Sequence, residues 1–236
     1  MGEVNDDTTI ATLDGQSIAL GENTLVTMDA EVSVSDGTYV DTASAGATTT
    51  ATGDDLAATD IISSTYHEDG DGSGVGVETT ATGVAIDGAS STSGTQTSVI
   101  STGSTDVLVG TAYSAASGGT YQDANSSADL YVSDPDSANL TSFSSTGSEL
   151  DIGNFSFSSS GATGIVVDSD FESDISIESD VDIQIDSDVD VDGNLSQLSL
   201  DAEAIGTDTL VEVDSSVLTV EDQLSSVTLS VVSAVE

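Results

Sequence analysis

The sequence has no lysine and no arginine in 236 residues, against 43 aspartates and glutamates, which sets a formal net charge of −43. Binding nucleic acid by neutralising phosphates needs basic side chains, as does adhesion to an anionic membrane surface, so both partner classes are excluded by that route. Cysteine is absent, which removes disulfides and thiolate metal sites. The one histidine, His67, has no lysine, arginine or cysteine to work with. Most nucleophile and base pairings, phosphate clamps and Schiff-base chemistry are thereby lost. Tryptophan is missing and aromatics make up 4% of the chain, too few for the aromatic platform on which a glycosidase with paired carboxylates would hold its sugar. The chain reads as a non-enzyme. No run approaches the ~18 apolar residues of a membrane-spanning helix. The start, Met1 to Asp7, lacks the basic and apolar regions of a secretory signal, so synthesis and folding in the cytoplasm are expected.

What is present is skewed: 31 aspartates against 12 glutamates, abundant Ser and Thr, and a 36% apolar fraction rich in Val, Ile and Leu. High charge with few apolar residues gives disorder, but here the aliphatic content is enough for a thin core. The composition resembles that of proteins from salt-accumulating halophiles, which favour Asp and Thr and avoid Lys. Self-repulsion at this charge opposes the compact state unless cations screen it, and the Debye length falls to about 3 Å at 1 M salt.

Val, Ile and Thr recur with period 2 between Gly, Asp, Asn and Ser, and windows of helical period are scarce, so the chain is expected to be all-β. The expected architecture is an antiparallel β-sandwich, jelly-roll-like or irregularly wound, with a thin aliphatic core completed by oligomerisation. Asp14-Gly15 predicts a hairpin turn between strands 9–13 and 16–20, and Asp36-Gly37 a second turn. Short strands are expected at 25–28, 31–35 and 38–41. The Ser/Thr/Ala/Gly stretches 43–60 and 88–105 read as loops and exposed edge strands, or as the flat Thr faces of an ice-binding module. The only proline, Pro135, suggests a boundary, giving a β-rich domain 1–135, a Ser/Thr-rich connection 136–147 and an acidic β-rich domain 148–236.

From Asp168 to Asp192 the odd positions are apolar or Ser, while eleven of the thirteen even positions are acidic. A single strand of that length would run about 80 Å, so it is expected to bend at its serines. Beyond it, strands are expected at 195–200, 209–213, 217–220 and 226–232. Carboxylates two apart on one strand face sit about 7 Å from each other, costing about 0.6 kcal/mol per neighbouring pair even in water. Monovalent salt relieves this, and so does Ca²⁺, which takes 6 to 8 oxygen ligands in flexible geometry. Candidate cation ligands on the ladder are Asp180, Asp182, Asp186, Asp188 and Asp190, with a solvated acidic face as the alternative. Asp69, Asp71 and Ser73 carry the first half of an EF-hand-like calcium loop, but Thr80 stands at its twelfth position, where a bidentate Glu belongs. A plain hairpin tip explains the same residues, with His67 as a loop residue. Asn125, Asn139, Asn154 and Asn194 each open an Asn-x-Ser/Thr sequon.

These features point to a self-assembling structural protein adapted to high salt, its partners being itself and other structural subunits. Two settings fit. One is the virion exterior of a virus of a halophilic archaeon, as a capsid decoration, turret, tail or fibre. The other is a secreted cell-surface or matrix protein, such as an S-layer, adhesin or filament subunit, stabilised by Ca²⁺. No organic cofactor is implied.

Overall fold

The computed structural model describes residues 8–37, 39–68, 74–102, 105–132, 138–152, 155–169 and 193–235; side chains between 130 and 192 are not described. Thirteen strands and no helix make up these residues: β1 (Thr8–Leu20), β2 (Thr24–Ser35), β3 (Asp41–Gly53), β4 (Leu56–Glu68), β5 (Gly74–Ile86), β6 (Ala89–Ser101), β7 (Thr105–Gly118), β8 (Tyr121–Val132), β9 (Ala138–Ile152), β10 (Phe155–Ser169), β11 (Asn194–Ile205), β12 (Thr209–Val220) and β13 (Leu224–Val235). They form two packed sheets. The first has the order β12-β13-β1-β4-β5-β8 and the second β11-β2-β3-β6-β7-β10-β9. The protein is an all-β sandwich, antiparallel throughout except where β11 runs parallel to β2.

The path is regular. Consecutive strands from β1 to β8 begin at residues 8, 24, 41, 56, 74, 89, 105 and 121, a step of about 16 residues. From β1 to β8 the chain alternates a crossing between sheets with a hairpin within one, and these four crossings lie at one end. There the backbone bonds from turn to turn: Gly21 N donates to Gln223 O in the β12–β13 hairpin at 3.1 Å, Asp55 N to Leu20 O at 3.0 Å, Asp87 N to Asp55 O at 3.1 Å and Gly119 N to Asp87 O at 2.7 Å. Satisfying these groups turn by turn lets the two sheets end in a bonded edge rather than in open loops. The β5–β6 crossing turns through Asp87 (φ 65°) and Gly88 (φ 63°), the left-handed region that Asp and Gly tolerate best.

The strands are 12 to 15 residues long, about twice the common length of 5–6, and this corrects several expectations. Asp14-Gly15 is no turn: it lies in the middle of β1, with Asp14 paired to Ile62 and Gly15 to Ile61. Gly15 faces inward, where a Cβ would come within 2.9 Å of Met28 Cε. The glycine is a notch for the largest inward side chain of β2, not a breaker. Likewise 25–28 and 31–35 are one strand, and 209–213 and 217–220 are one strand. The stretches 43–60 and 88–105, expected as loops or edges, supply β3, part of β4 and β6, of which β3 and β6 are central in their sheet. Their small residues face inward: Ala43, Ala45, Ala47, Thr49 and Ala51 from β3, and Ser91, Ser93, Thr95, Thr97 and Val99 from β6, are all buried.

The stretch 136–147 falls partly in β9, which starts at Ala138. The last strands pair with the first, β13 with β1 and β11 with β2, so both sheets draw on both sides of Pro135.

The interior has two aliphatic regions with hydroxyls between them. One cluster runs through Leu13, Val26, Met28, Val32, Ile61, Val227 and Val231, and a smaller one joins Val75, Val77, Val99 and Leu108. Between them Thr59 Oγ1 on one sheet lies 2.8 Å from Ser91 Oγ and 2.7 Å from Ser93 Oγ on the other. Ser93 Oγ is 3.2 Å from Ser114 Oγ, which donates to the carbonyl of Thr82. Thr24 donates to Ser225 at 2.7 Å, a further bond between sheets. Hydrogen bonding removes the desolvation cost of these buried hydroxyls, which is how so many Ser and Thr residues can face inward.

Candidate functional surfaces

Carboxylates are sorted by the same alternation. Among the described residues every buried polar side chain is Ser, Thr or His, and none is Asp or Glu. The acids lie on the two outer faces and at the strand ends. On the first sheet Asp60 sits between Gln16 and Thr82, while Glu78 is directly opposite Asp129. On the second, Glu31 is opposite Asp201. Directly opposed like charges destabilise a sheet, so these pairs need screening. Asp60 stays exposed on the outer face, but partial desolvation by its neighbours raises it above its ordinary pKa of 3.8. Asp41 is also raised, first by burial and then by neighbouring Asp36, against the lowering effect of the hydrogen bond from Gly37 N.

Among the described residues, an open groove of about 360 Å³ lies on the outer face of the second sheet, lined by Asp29, Glu31, Thr48, Gln96, Thr111 and Tyr113 among others. One glycine, Gly46, is part of its floor, and a second, Gly94, seats the Tyr113 ring that borders it. Gly46 lies between Glu31 and Gln96, and Gly94 between Thr48 and Tyr113. The Tyr113 ring lies across Gly94, where any Cβ would overlap it, and its hydroxyl is 3.3 Å from Thr48 Oγ1. The groove offers carboxylates, an amide and hydroxyls, a set suited to hydrated cations or polyols. Sequence reasoning did not find the groove, because which residues flank Gly46 and which ring covers Gly94 are set by the cross-strand register.

Comparison with protein-family models, with curated proteins and with solved structures gives no match. The chemistry of this sandwich therefore has to be read from its own residues.

All eight expected cation ligands, Asp69, Asp71, Ser73, Asp180, Asp182, Asp186, Asp188 and Asp190, lie outside the described residues, so the structure does not bring them together or separate them. Their flanks are informative for the first group. Glu68 pairs with Gly74, and Thr80, the twelfth position of the supposed loop, is inside β5 opposite Ile62 and Ser127, with its Oγ1 2.7 Å from Ser127 Oγ. Among the described residues, no three of His, Asp and Glu gather closely enough to hold a metal ion.

His67 is not a loop residue. It is on β4, 2% exposed, with Nδ1 2.9 Å from Thr9 Oγ1, because β4 runs on to Glu68 and the alternation turns position 67 inward. The sequons also separate. The Asn125 side chain is exposed on β8. Asn194, in contrast, donates from Nδ2 to Thr24 Oγ1 at 2.5 Å and accepts at Oδ1 from Asp222 N at 2.7 Å. It fastens the start of β11 to two turns.

Proposed function

We propose that this chain is a non-enzymatic, self-assembling structural protein that works in concentrated cations, placed on the exterior of a virion of a halophilic archaeal virus as a decoration, turret, tail or fibre subunit. The observation that carries the reading is the partition of charge: an interior of aliphatics and hydrogen-bonded hydroxyls without a carboxylate among the described residues, enclosed by acidic faces with no basic residue anywhere. Such a body stays soluble and repels indiscriminate contacts while salt screens its own repulsion. Long strands stacked in two bonded sheets favour a rigid building element over one that closes around a substrate.

The alternative, a secreted cell-surface or matrix subunit stabilised by Ca²⁺, is favoured by one observation: the sequon at Asn125 is exposed on an outer face, as a glycosylation acceptor must be. Intact mass of the native protein separates the two. An unmodified chain in purified particles, reached by antibody on their surface, is the expected result. A glycan on Asn125, or a chain found only in the cell envelope, would overturn the virion reading.

A further inference from the structure

β12 is the outermost strand of the first sheet. It pairs with β13 in unbroken register from Thr209↔Val235 to Val220↔Leu224, and among the described residues no strand pairs with its other edge. It is exposed along its whole length up to Val220. Its odd residues are registered with buried residues of β13: Val213 with Val231, Ser215 with Leu229 and Val217 with Val227. They therefore continue the inward face of the sheet, which β11 meets near one end, where Ser196 Oγ donates to Leu218 O at 3.2 Å and accepts from Thr219 Oγ1 at 3.0 Å. Val211, Val213 and Val217 are 42%, 44% and 49% exposed. That row, completed by Ser215 and Thr219, has no carboxylate in a chain of charge −43. Glu212 and Asp214 both project to the other face.

We propose that β12 is the interface with a second copy of this chain, joined edge to edge as an antiparallel pair about a two-fold axis through Ser215. This deepens the self-assembly part of the reading above and rests on it. Charge selects the occupant. A cationic partner would need carboxylates on the row, and the row offers none; an uncharged strand of aliphatics and hydroxyls fits it, and β12 is itself such a strand. With the axis at Ser215, Val213 meets the partner's Val217, Val211 meets the partner's Thr219 and Ser215 meets its own copy. On the other face Leu210 meets the partner's Val220, Glu212 the partner's Leu218 and Asp214 the partner's Ser216. No carboxylate faces another. Moving the axis to residue 214 would set Asp214 against itself, so charge disfavours that register, while the axis at Ser215 keeps the carboxylates apart.

The exposed aliphatic side chains of a single strand fall short of the ~800 Å² per partner of a standard interface. Backbone pairing along the strand supplies the remainder, as in strand addition generally. An isologous contact of this kind closes on itself as a dimer.

Light scattering on the intact chain in molar KCl tests this, with an expected mass twice the 23.5 kDa of the chain. Ser215→Asp places two carboxylates face to face and is expected to weaken the dimer on the order of tenfold or more, while Ser215→Thr keeps it. Since the chain has no cysteine, Ser215→Cys is expected to oxidise to a covalent dimer, because paired strands hold opposite Cα atoms about 4.5–5.5 Å apart, within disulfide range. Ser199→Cys, on the outer face of β11, is expected to stay unlinked. The cysteine readout decides the matter even if Ser215→Asp fails to fold. A monomeric wild-type chain overturns the interface, as does a dimer that survives Ser215→Asp and is not linked through Ser215→Cys. Neither result touches the exterior placement, which labelling of native particles tests separately.

Discussion

At the scale of single residues, the interior depends on whether each buried hydroxyl has a partner. Thr59 bridges to Ser91 and Ser93, so Thr59→Val strands the Ser91 hydroxyl and leaves Ser93 with Ser114 alone, and is expected to cost about 1–3 kcal/mol. Thr65 Oγ1 and Thr95 Oγ1 are buried without a partner. Thr65→Val and Thr95→Val remove that penalty at constant shape and are each expected to stabilise by about 1 kcal/mol. Urea unfolding in constant high salt measures all three, and a loss of stability in either threonine-to-valine variant would contradict the assignment. Asp60 gives a pH prediction. Its folded pKa is raised above 3.8 by partial desolvation, so the folded state binds its proton more tightly than the unfolded state does. Stability from this group therefore rises as pH falls through the raised pKa towards 3.8, and is lost again as pH rises. Asp60→Asn is expected to raise the neutral-pH melting temperature in salt and to match the wild type below pH 3.8; an equal gain at both pH values would argue against the carboxylate as the cause.

At the scale of elements, the notch in β1 couples the two sheets. Gly15→Ala brings a methyl group within 2.9 Å of Met28 Cε, the end of a flexible side chain that can shift, and is expected to destabilise by about 1 kcal/mol or less. In a Met28→Ala background the same change is expected to be close to neutral, because the obstructing group is gone. Equal effects in both backgrounds, by double-mutant cycle in urea, would remove the notch from the account. This element also shows what was legible in the sequence. Strand periodicity was, since inward and outward residues alternate along β1, β2 and β13. Strand length was not. Gly, Ser, Thr and Asp are turn formers by local propensity, yet here Gly15 and Gly94 make room for Met28 and Tyr113, and Ser91 and Ser93 bond across the interior. Tertiary packing overrides the local signal where the sheets lie close. A better clue was the spacing of Gly and Asp clusters: Gly21, Asp36-Gly37, Gly53-Asp54, Asp69 to Gly74, Asp87-Gly88, Gly103 and Gly118-Gly119 follow one another at nearly the strand-to-strand step.

At the scale of the whole molecule, the sequence made the consequences of charge legible but not the sites. The absence of basic residues and the alternation of acids with apolar residues imply acidic outer faces, and Glu78 opposite Asp129 and Glu31 opposite Asp201 show like charges meeting across strands. The groove between Gly46 and Tyr113 and the uncharged row on β12 depend on pairings between distant segments, which no local pattern specifies. The central claim is that this fold exists only under cation screening, since the net charge of −43 has no internal counter-charge. Circular dichroism of the β signal during exhaustive dialysis from molar KCl into low-salt buffer with chelator tests it directly. The account predicts cooperative loss of the signal as salt is withdrawn, with recovery when salt is restored; an unchanged β spectrum at the end of the dialysis would contradict it.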